Sequence, residues 1–256
     1  MMSLKQYVVN LLTIHRLGKK IFIDDFFKKT AKLSAAENSK LPRRTQIIDY
    51  FVKLVEAQYY LEIGVRNPEK NFNKIQCTHK FSVDPGIEFE DNPVDFKMTS
   101  DLFFEKLKSD QLEIKSETKF DVIFIDGLHI SDQAERDILN SIEYLTDNGV
   151  IIMHDCNPPS EFHQREQYDF KNSPATVFWN GTTWKAFYKI RHRKDLYSIC
   201  FDSDWGVGVI SKNKYPLFNT IEDTLQNEFY EYAVLNKNRQ EHLNLNSFDR
   251  WVEAIK

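Results

Sequence analysis

Tyr60-Leu61-Glu62-Ile63-Gly64-Val65 is an apolar run that ends in an acid and a glycine. In an open α/β sheet, ligands collect beyond the carboxyl ends of the strands, and a glycine there lets backbone approach with no side chain between. Gly64 stands where such an approach would occur. The residues on either side extend the pattern. Ahead of the run, residues 42–57 predict a helix that Pro42 opens, with Ile47, Ile48, Phe51, Val52, Leu54 and Val55 on one face.

Behind it, Phe81-Ser82-Val83-Asp84 ends a second strand in a carboxylate that can accept from both hydroxyls of a ribose. Asp84 also precedes Pro85-Gly86, where an acid commonly caps a turn. The run Asp95-Phe96-Lys97-Met98-Thr99-Ser100-Asp101 is short, strand-like and polar at its end, suited to reading a base edge. Phe120 to His129 (FDVIFIDGLH) and Gly149 to Asp155 (GVIIMHD) then bring Asp126, His129, His154 and Asp155 to strand ends. Four strands thus deliver polar groups to one edge, and an acid after each of the first two points to a nucleoside.

The strands predicted at 59–65, 80–84, 120–126 and 150–154 alternate with helical segments. The strongest helix is 131–145, with Ala134, Ile138, Ile142 and Leu145 on one face and Asn148-Gly149 as its stop. This rhythm implies an α/β fold with a parallel sheet and right-handed crossovers. Residues 156–180 carry Pro158, Pro159 and Pro174 without periodicity and read as a long inserted loop, of the kind that is functional or disordered. Residues 184–193 read as helix, 196–201 with 206–211 as a hairpin through Asp202-Ser203-Asp204, and 217–256 as an amphipathic helical tail. We expect one domain over 1–256: an N-terminal helical extension at 1–41, a core at 42–212 with the loop at 156–184 inserted, and a helical tail at 213–256.

The chain has 256 residues, 34 Lys or Arg and 38 Asp or Glu, for a net charge of -4. That balance excludes a protein that grips nucleic acid mainly by phosphate contacts. Aromatic content reaches 14%, yet mean hydropathy is -0.51 and no apolar run approaches the ~20 residues of a membrane span. Cys77, Cys156 and Cys200 lie far apart, which fits a reducing, cytoplasmic setting. The charges of the N-terminal aromatic helices at 7–27 are scattered over their polar faces, which favours a lid or a homodimer surface over a membrane anchor.

The order and spacing of these pieces resemble class I methyltransferases, in particular the small-molecule O-methyltransferase branch, family-24-like, whose fourth strand reads I-D-G-x-H and whose fifth ends H-D. The resemblance covers about residues 43–212. It implies a Rossmann-like three-layer α/β/α sandwich, its sheet mostly parallel and seven-stranded with one antiparallel strand. It also implies S-adenosylmethionine as cofactor, with Glu62 and Gly64 near the methionine part, Asp84 on the ribose, and Ser100 or Asp101 near adenine. Asp126 and Asp155 match carboxylates that hold a divalent metal such as Mg²⁺ in related enzymes. The first loop departs from the pattern, because residues 65–72 contain no second glycine; Arg66 or Asn67 is then the candidate for the cofactor carboxylate.

His129, His154 and Asp155 are the candidate catalytic residues: His154-Asp155 can be a base with its orienting acid or part of a metal set. Glu161, His163, Trp179 and Trp184 are candidates for an acceptor pocket, with loop packing as the alternative. The acceptor expected is a small molecule, a sugar or glycan-related hydroxyl, with no nucleic-acid or membrane partner. A dinucleotide oxidoreductase is disfavoured because G-x-G-x-x-G is missing and an acid stands where a pyrophosphate would lie. A non-catalytic nucleoside-binding scaffold is the other alternative, motivated by the glycine-poor loop.

Overall fold

A computed structural model describes residues 3–89, 91–170, 172–222 and 231–256. Part of the tail expected at 217–256 therefore lies outside the described residues. Two helices open the chain, α1 (Leu4–Ile23) and α2 (Asp25–Ser39). Asp24 separates them, and its carboxylate caps α2 by accepting from Phe26 N and Phe27 N. Next come α3 (Arg44–Leu54), β1 (Tyr59–Ile63), β2 (His79–Val83), α4 (Ser100–Lys108), β3 (Phe120–Ile125), α5 (Ser131–Tyr144) and β4 (Leu145–Met153). The chain continues through α6 (Thr183–Ile190), β5 (Tyr197–Phe201), β6 (Val207–Ser211), α7 (Tyr232–Lys237), α8 (Arg239–His242), β7 (Leu245–Asn246) and α9 (Phe248–Ile255).

The seven strands form one sheet in the order β2-β1-β3-β4-β6-β5-β7. Only β6 runs against its neighbours: it pairs antiparallel with β4 and β5, while every other pairing is parallel. Strand periodicity sends alternate side chains to opposite faces, so each face has its own core. On one side Leu61, Ile63, Ile123, Ile125, Ile151 and Met153 meet α4, α5 and α6. On the other Tyr60, Val122, Phe124, Val150 and Ile152 meet α3 and α9. The result is the three-layer α/β/α sandwich, Rossmann-like and mostly parallel.

Three local expectations are corrected. Residues 95–101 do not add a strand: Val83 and Phe96 form a single bridge, and Ser100 already begins α4. Past Phe96 the chain turns, with Met98 N donating to Phe96 O at 2.9 Å, and before it the Asp95 carboxylate takes Ser82 N at 2.9 Å and Ser82 Oγ at 2.6 Å. Asn148-Gly149 does not stop α5; it sits inside β4, which starts at Leu145 directly after the helix. The C-terminal segment is not uniformly helical, since Leu245 and Asn246 pair with Cys200 and Phe201 as the seventh strand.

The helix that follows that strand is fastened to the core. Trp251 is fully buried and stacks on Phe51 of α3, with ring centroids 4.8 Å apart. Trp251→Ala should lower stability by about 3–5 kcal/mol in urea unfolding, because a core aromatic and its packing are both lost. A loss under about 1 kcal/mol would mean that α9 is dispensable to the sheet.

Candidate functional site

The carboxyl ends of β1 to β4 open into a cavity of about 920 Å³. Glu62, Gly64, Asp84, Ser100, Asp126, His129, His154 and Asp155 all line it. Arg66 lines it as well, with its Nε 3.1 Å from Glu88. Asp84 N donates to Phe96 O, and Asp84 Oδ1 accepts from Gly86 N at 2.6 Å, so this residue caps the turn while facing the cavity. Asp101 is absent from the lining; it points out to Arg136 and Gln133.

Gly64 has φ +91°, and a Cβ there would lie 2.2 Å from Asp126 O. Its smallness therefore lets the β1 and β3 loops pass one another at the cavity wall, a constraint within the fold that stands beside the cavity position expected from the sequence. Glu62 is held on the α3 side of the sheet. Its Oε2 accepts from Tyr60 Oη at 2.6 Å and Asn71 Nδ2 at 2.9 Å, and Thr45 Oγ1 donates to Asn71 Oδ1 at 2.7 Å.

At the centre, His154 Nδ1 lies 3.2 Å from Asp126 Oδ1 and 3.1 Å from Asp155 Oδ2. His129 spans the same two oxygens, Nε2 3.3 Å from Asp126 Oδ1 and Nδ1 3.3 Å from Asp155 Oδ2. Asn180 Nδ2 donates to Asp155 Oδ1 at 2.8 Å. Asp155 itself is left-handed at φ 59°, a conformation that costs energy in a non-glycine residue and recurs at functional sites.

On the far side of His154, Arg44 Nη1 lies 3.1 Å from Nε2, and Asp204 Oδ2 lies 3.7 Å from the same nitrogen. Asp204 also accepts from Arg44 N at 2.8 Å and from Arg43 Nη1 at 2.8 Å. Burial works against the charge on Asp126, but His154 and Arg44 outweigh it and hold its pKa far below the usual carboxylate range. Burial likewise opposes a charged His154, yet Asp155 and Asp126 raise its pKa well above the ordinary value. One ligand atom each from Asp126, His154 and Asp155 lies within 4.8 Å of the others. Adjacent ligands on a small divalent cation stand roughly 3 Å apart, close to the two spacings around His154 Nδ1. The set fits such an ion, with His154 added to the Asp126 and Asp155 expected from sequence.

The acceptor-side candidates divide. Trp179 lines the cavity, stacks on His129 at 4.9 Å and sits 5.4 Å from Tyr168, which also lines it. Trp184 is fully buried in the core, with its Nε1 donating to Gln164 Oε1 at 2.7 Å. His163 is fully buried too: Ser34 Oγ lies 3.0 Å from Nε2 and Ser160 Oγ 2.8 Å from Nδ1, and burial lowers its pKa to about 4. Glu161 is exposed and outside the lining. Packing therefore accounts for Trp184 and His163, and neither borders the cavity.

Sequence reasoning does not find Arg44, Asp204 or Asp137. Arg44 stands at a helix start, and Asp204 reads as a hairpin turn, which it is; its burial and its two arginine partners are tertiary. Asp137 lies on the buried face of α5, lines the cavity and accepts from Gln133 Nε2 at 3.0 Å, and burial raises its pKa to about 6.

Glu62 gives a test that needs no ligand. Burial outweighs its two hydrogen bonds and raises its pKa from 4.5 to about 7. Between about pH 4.5 and 7 the native state keeps a proton that the unfolded chain has released, so the stability tied to neutral Glu62 is complete below that window and fades as pH rises through it. Glu62→Gln removes this dependence. Relative to the wild type, the variant should gain about 2–3 kcal/mol between pH 5 and pH 8 in denaturant unfolding. A difference that does not change with pH would mean that Glu62 ionises at no cost.

Comparison with known proteins follows the same lines. A family model described as a methyltransferase domain matches residues 68–156. Among solved structures, the chain is similar to an O-methyltransferase from Streptomyces achromogenes involved in tomaymycin synthesis, in complex with S-adenosylmethionine, at 12% identity and a TM-score of 0.46 over 82% of this chain and 99% of that one. A Podospora anserina methyltransferase bound to S-adenosylhomocysteine matches at 12% identity and a TM-score of 0.44, over 84% and 99% of the two chains. A Bacillus cereus O-methyltransferase in complex with S-adenosylhomocysteine matches at 11% and 0.41, over 73% and 91%. No curated protein sequence matches the chain. The segment 68–156 runs from the loop after β1 to the end of β4 and holds Asp84, Asp126, His129, His154 and Asp155, and over these residues the chain is similar to that methyltransferase domain.

Proposed function

We propose that this protein binds S-adenosylmethionine in the cavity above β1 to β3 and transfers its methyl group to a hydroxyl of a small molecule held against the loop at 156–184. The observation that carries the reading is the placement of Asp84 and the Asp126–His129–His154–Asp155 cluster on one cavity, large enough for a nucleoside and a second small ligand. Asp84 and Ser100 lie on the side suited to ribose and base. Glu62, tied to Tyr60 and Asn71, closes the floor beside Gly64.

The bound cofactor supplies an electrophilic methyl on a sulfonium. The acceptor oxygen gives up its proton as it takes that methyl, and the protein must position the oxygen in line and receive the proton. His129 is the base in our reading: of the two central histidines it is the more exposed, 16% against 5% for His154. Trp179 stacks on its ring and fixes the plane. Asp155 faces Nδ1 and stabilises the cation that forms, and the acceptor's proton goes to Nε2, the hydroxyl displacing the 3.3 Å contact of that nitrogen with Asp126. Asp126, His154 and Asp155 would hold a divalent cation such as Mg²⁺, which would lower the pKa of a hydroxyl bound to it. Trp179 and Tyr168, with Asn67 and Lys70 on the same cavity, offer an aromatic face beside polar groups, the pairing that suits a sugar ring. A sugar or glycan-related hydroxyl is therefore our acceptor.

Calorimetric titration with S-adenosylhomocysteine tests the first half. Micromolar binding is expected, weakened at least about tenfold by Asp84→Ala; folded protein that binds nothing would leave the scaffold reading in its place. Methyl transfer to a panel of free and nucleotide-linked sugars, followed by mass spectrometry, tests the second. His129→Ala should keep cofactor affinity and lose turnover by about 100-fold or more, and turnover that survives would remove His129 from the base role.

A further inference from the structure

Helix α1 buries none of its twenty residues. Leu4, Leu12, Ile14 and Phe22 are 80%, 64%, 66% and 81% exposed. The neighbouring helix is anchored: α2 buries Thr30, Ser34 and Glu37, Ser34 meets His163, and the Phe26 ring sits edge-on to Phe162 at 5.8 Å. An apolar helix is thus held out from the body by a fixed one. So large an exposed apolar surface marks an interaction site.

The charges say what it meets. Residues 3–32 contain seven Lys or Arg against Asp24 and Asp25 only, and α1 itself has no acid. At about 100° per residue, Lys5, Arg16, Lys19 and Lys20 fall within one sector of roughly 100°, and Tyr7, Leu11, Ile14, Leu17 and Ile21 lie on the other side. The cations thus gather on one flank, which Val9, Leu12 and Ile23 share, and the opposite face carries no charge. Pairing α1 with α1 of a second copy through the apolar face would leave the cations on the outer sides of the pair, with no acid on either helix to meet them. An anionic lipid surface satisfies both faces, apolar side chains in the acyl boundary and cations among the headgroups.

We propose that residues 3–32 dock the protein on an anionic membrane surface, with α1 lying in the interface. No helix among the described residues is long and apolar enough to cross a membrane, so this is a surface contact. A groove of about 500 Å³ lined by Ile21, Phe22 and Phe27 continues the apolar surface to Pro174, Thr176 and Phe178. The alternate residues Val177 and Trp179 line the main cavity. Docking on α1 therefore sets the loop wall of that cavity beside the lipid.

Sedimentation of the full chain with vesicles tests the proposal. It should pellet with vesicles of phosphatidylcholine containing about one-third phosphatidylglycerol, less so in high salt, and remain in solution with phosphatidylcholine alone. The triple variant Lys5→Glu/Lys19→Glu/Lys20→Glu and the double variant Leu11→Asp/Ile14→Asp should each lose at least about tenfold in vesicle affinity. Their melting temperatures should match the wild type, because α1 contributes nothing to the buried core. Absence of binding to either vesicle, or binding that both variants retain, would overturn the proposal. So would a dimer in solution that Leu11→Asp/Ile14→Asp dissociates while vesicles are ignored, which would give this face to a second copy.

Discussion

Everything about the site follows from placing Asp126, Asp155 and Asp204 in or beside a largely dry interior. A buried carboxylate is costly unless cations and donors face it. Each of the three has such a partner from a distant part of the chain: Arg44 from the start of α3, His154 from the end of β4, His129 from beyond β3, Asn180 from the long loop. Apart from the local pairs His154–Asp155 and His129–Asp126, these contacts form only once the sheet is assembled in its final order. The cluster is thus a readout of the fold as much as a consequence of it.

That dependence explains what could be read in the sequence. Strand ends are local: an apolar run that stops at Asp84, Asp126 or His154 announces where its polar group will lie, and parallel pairing brings all of them to one edge. Arg44 and Asp204 are 160 positions apart, and nothing in a helix start or a hairpin turn shows that they will meet. Gly64 was legible as a position that needs glycine, but the group pressing on it, the Asp126 carbonyl, belongs to another strand. His163 and Trp184 carried the right chemistry for a pocket and were placed in the core by packing, which no periodicity in an irregular loop reveals.

The edge beyond β2 follows the same logic in reverse. Residues 95–101 have the look of a strand, and a ladder there would have used the backbone of Ser82. Asp95 takes Ser82 N with its side chain before Phe96, Met98 N turns back to Phe96 O after it, and the pairing is confined to one bridge. A single short side chain can compete with backbone for a donor, and doing so leaves Ser100 free to begin α4 at the cavity rim.

The two halves of the cavity are built by different means. The side holding Asp84 and Asp126 hangs from strands whose register the ladder fixes. The side holding Tyr168, Val177 and Trp179 is a loop without regular structure, kept in shape by Arg165, whose guanidinium donates to the carbonyls of Phe162, Thr176 and Phe178. Trp179 in turn donates to Arg165 O, which sets its ring over His129. A loop held by such fixed points, Arg165 with His163 and Asn180, can change its remaining side chains at little cost to the sheet. Side chains of the loop wall can therefore vary while Asp84 and the central carboxylates stay tied to the fold, and on the function proposed above this puts the reaction class in the strand ends and the choice of acceptor in the loop.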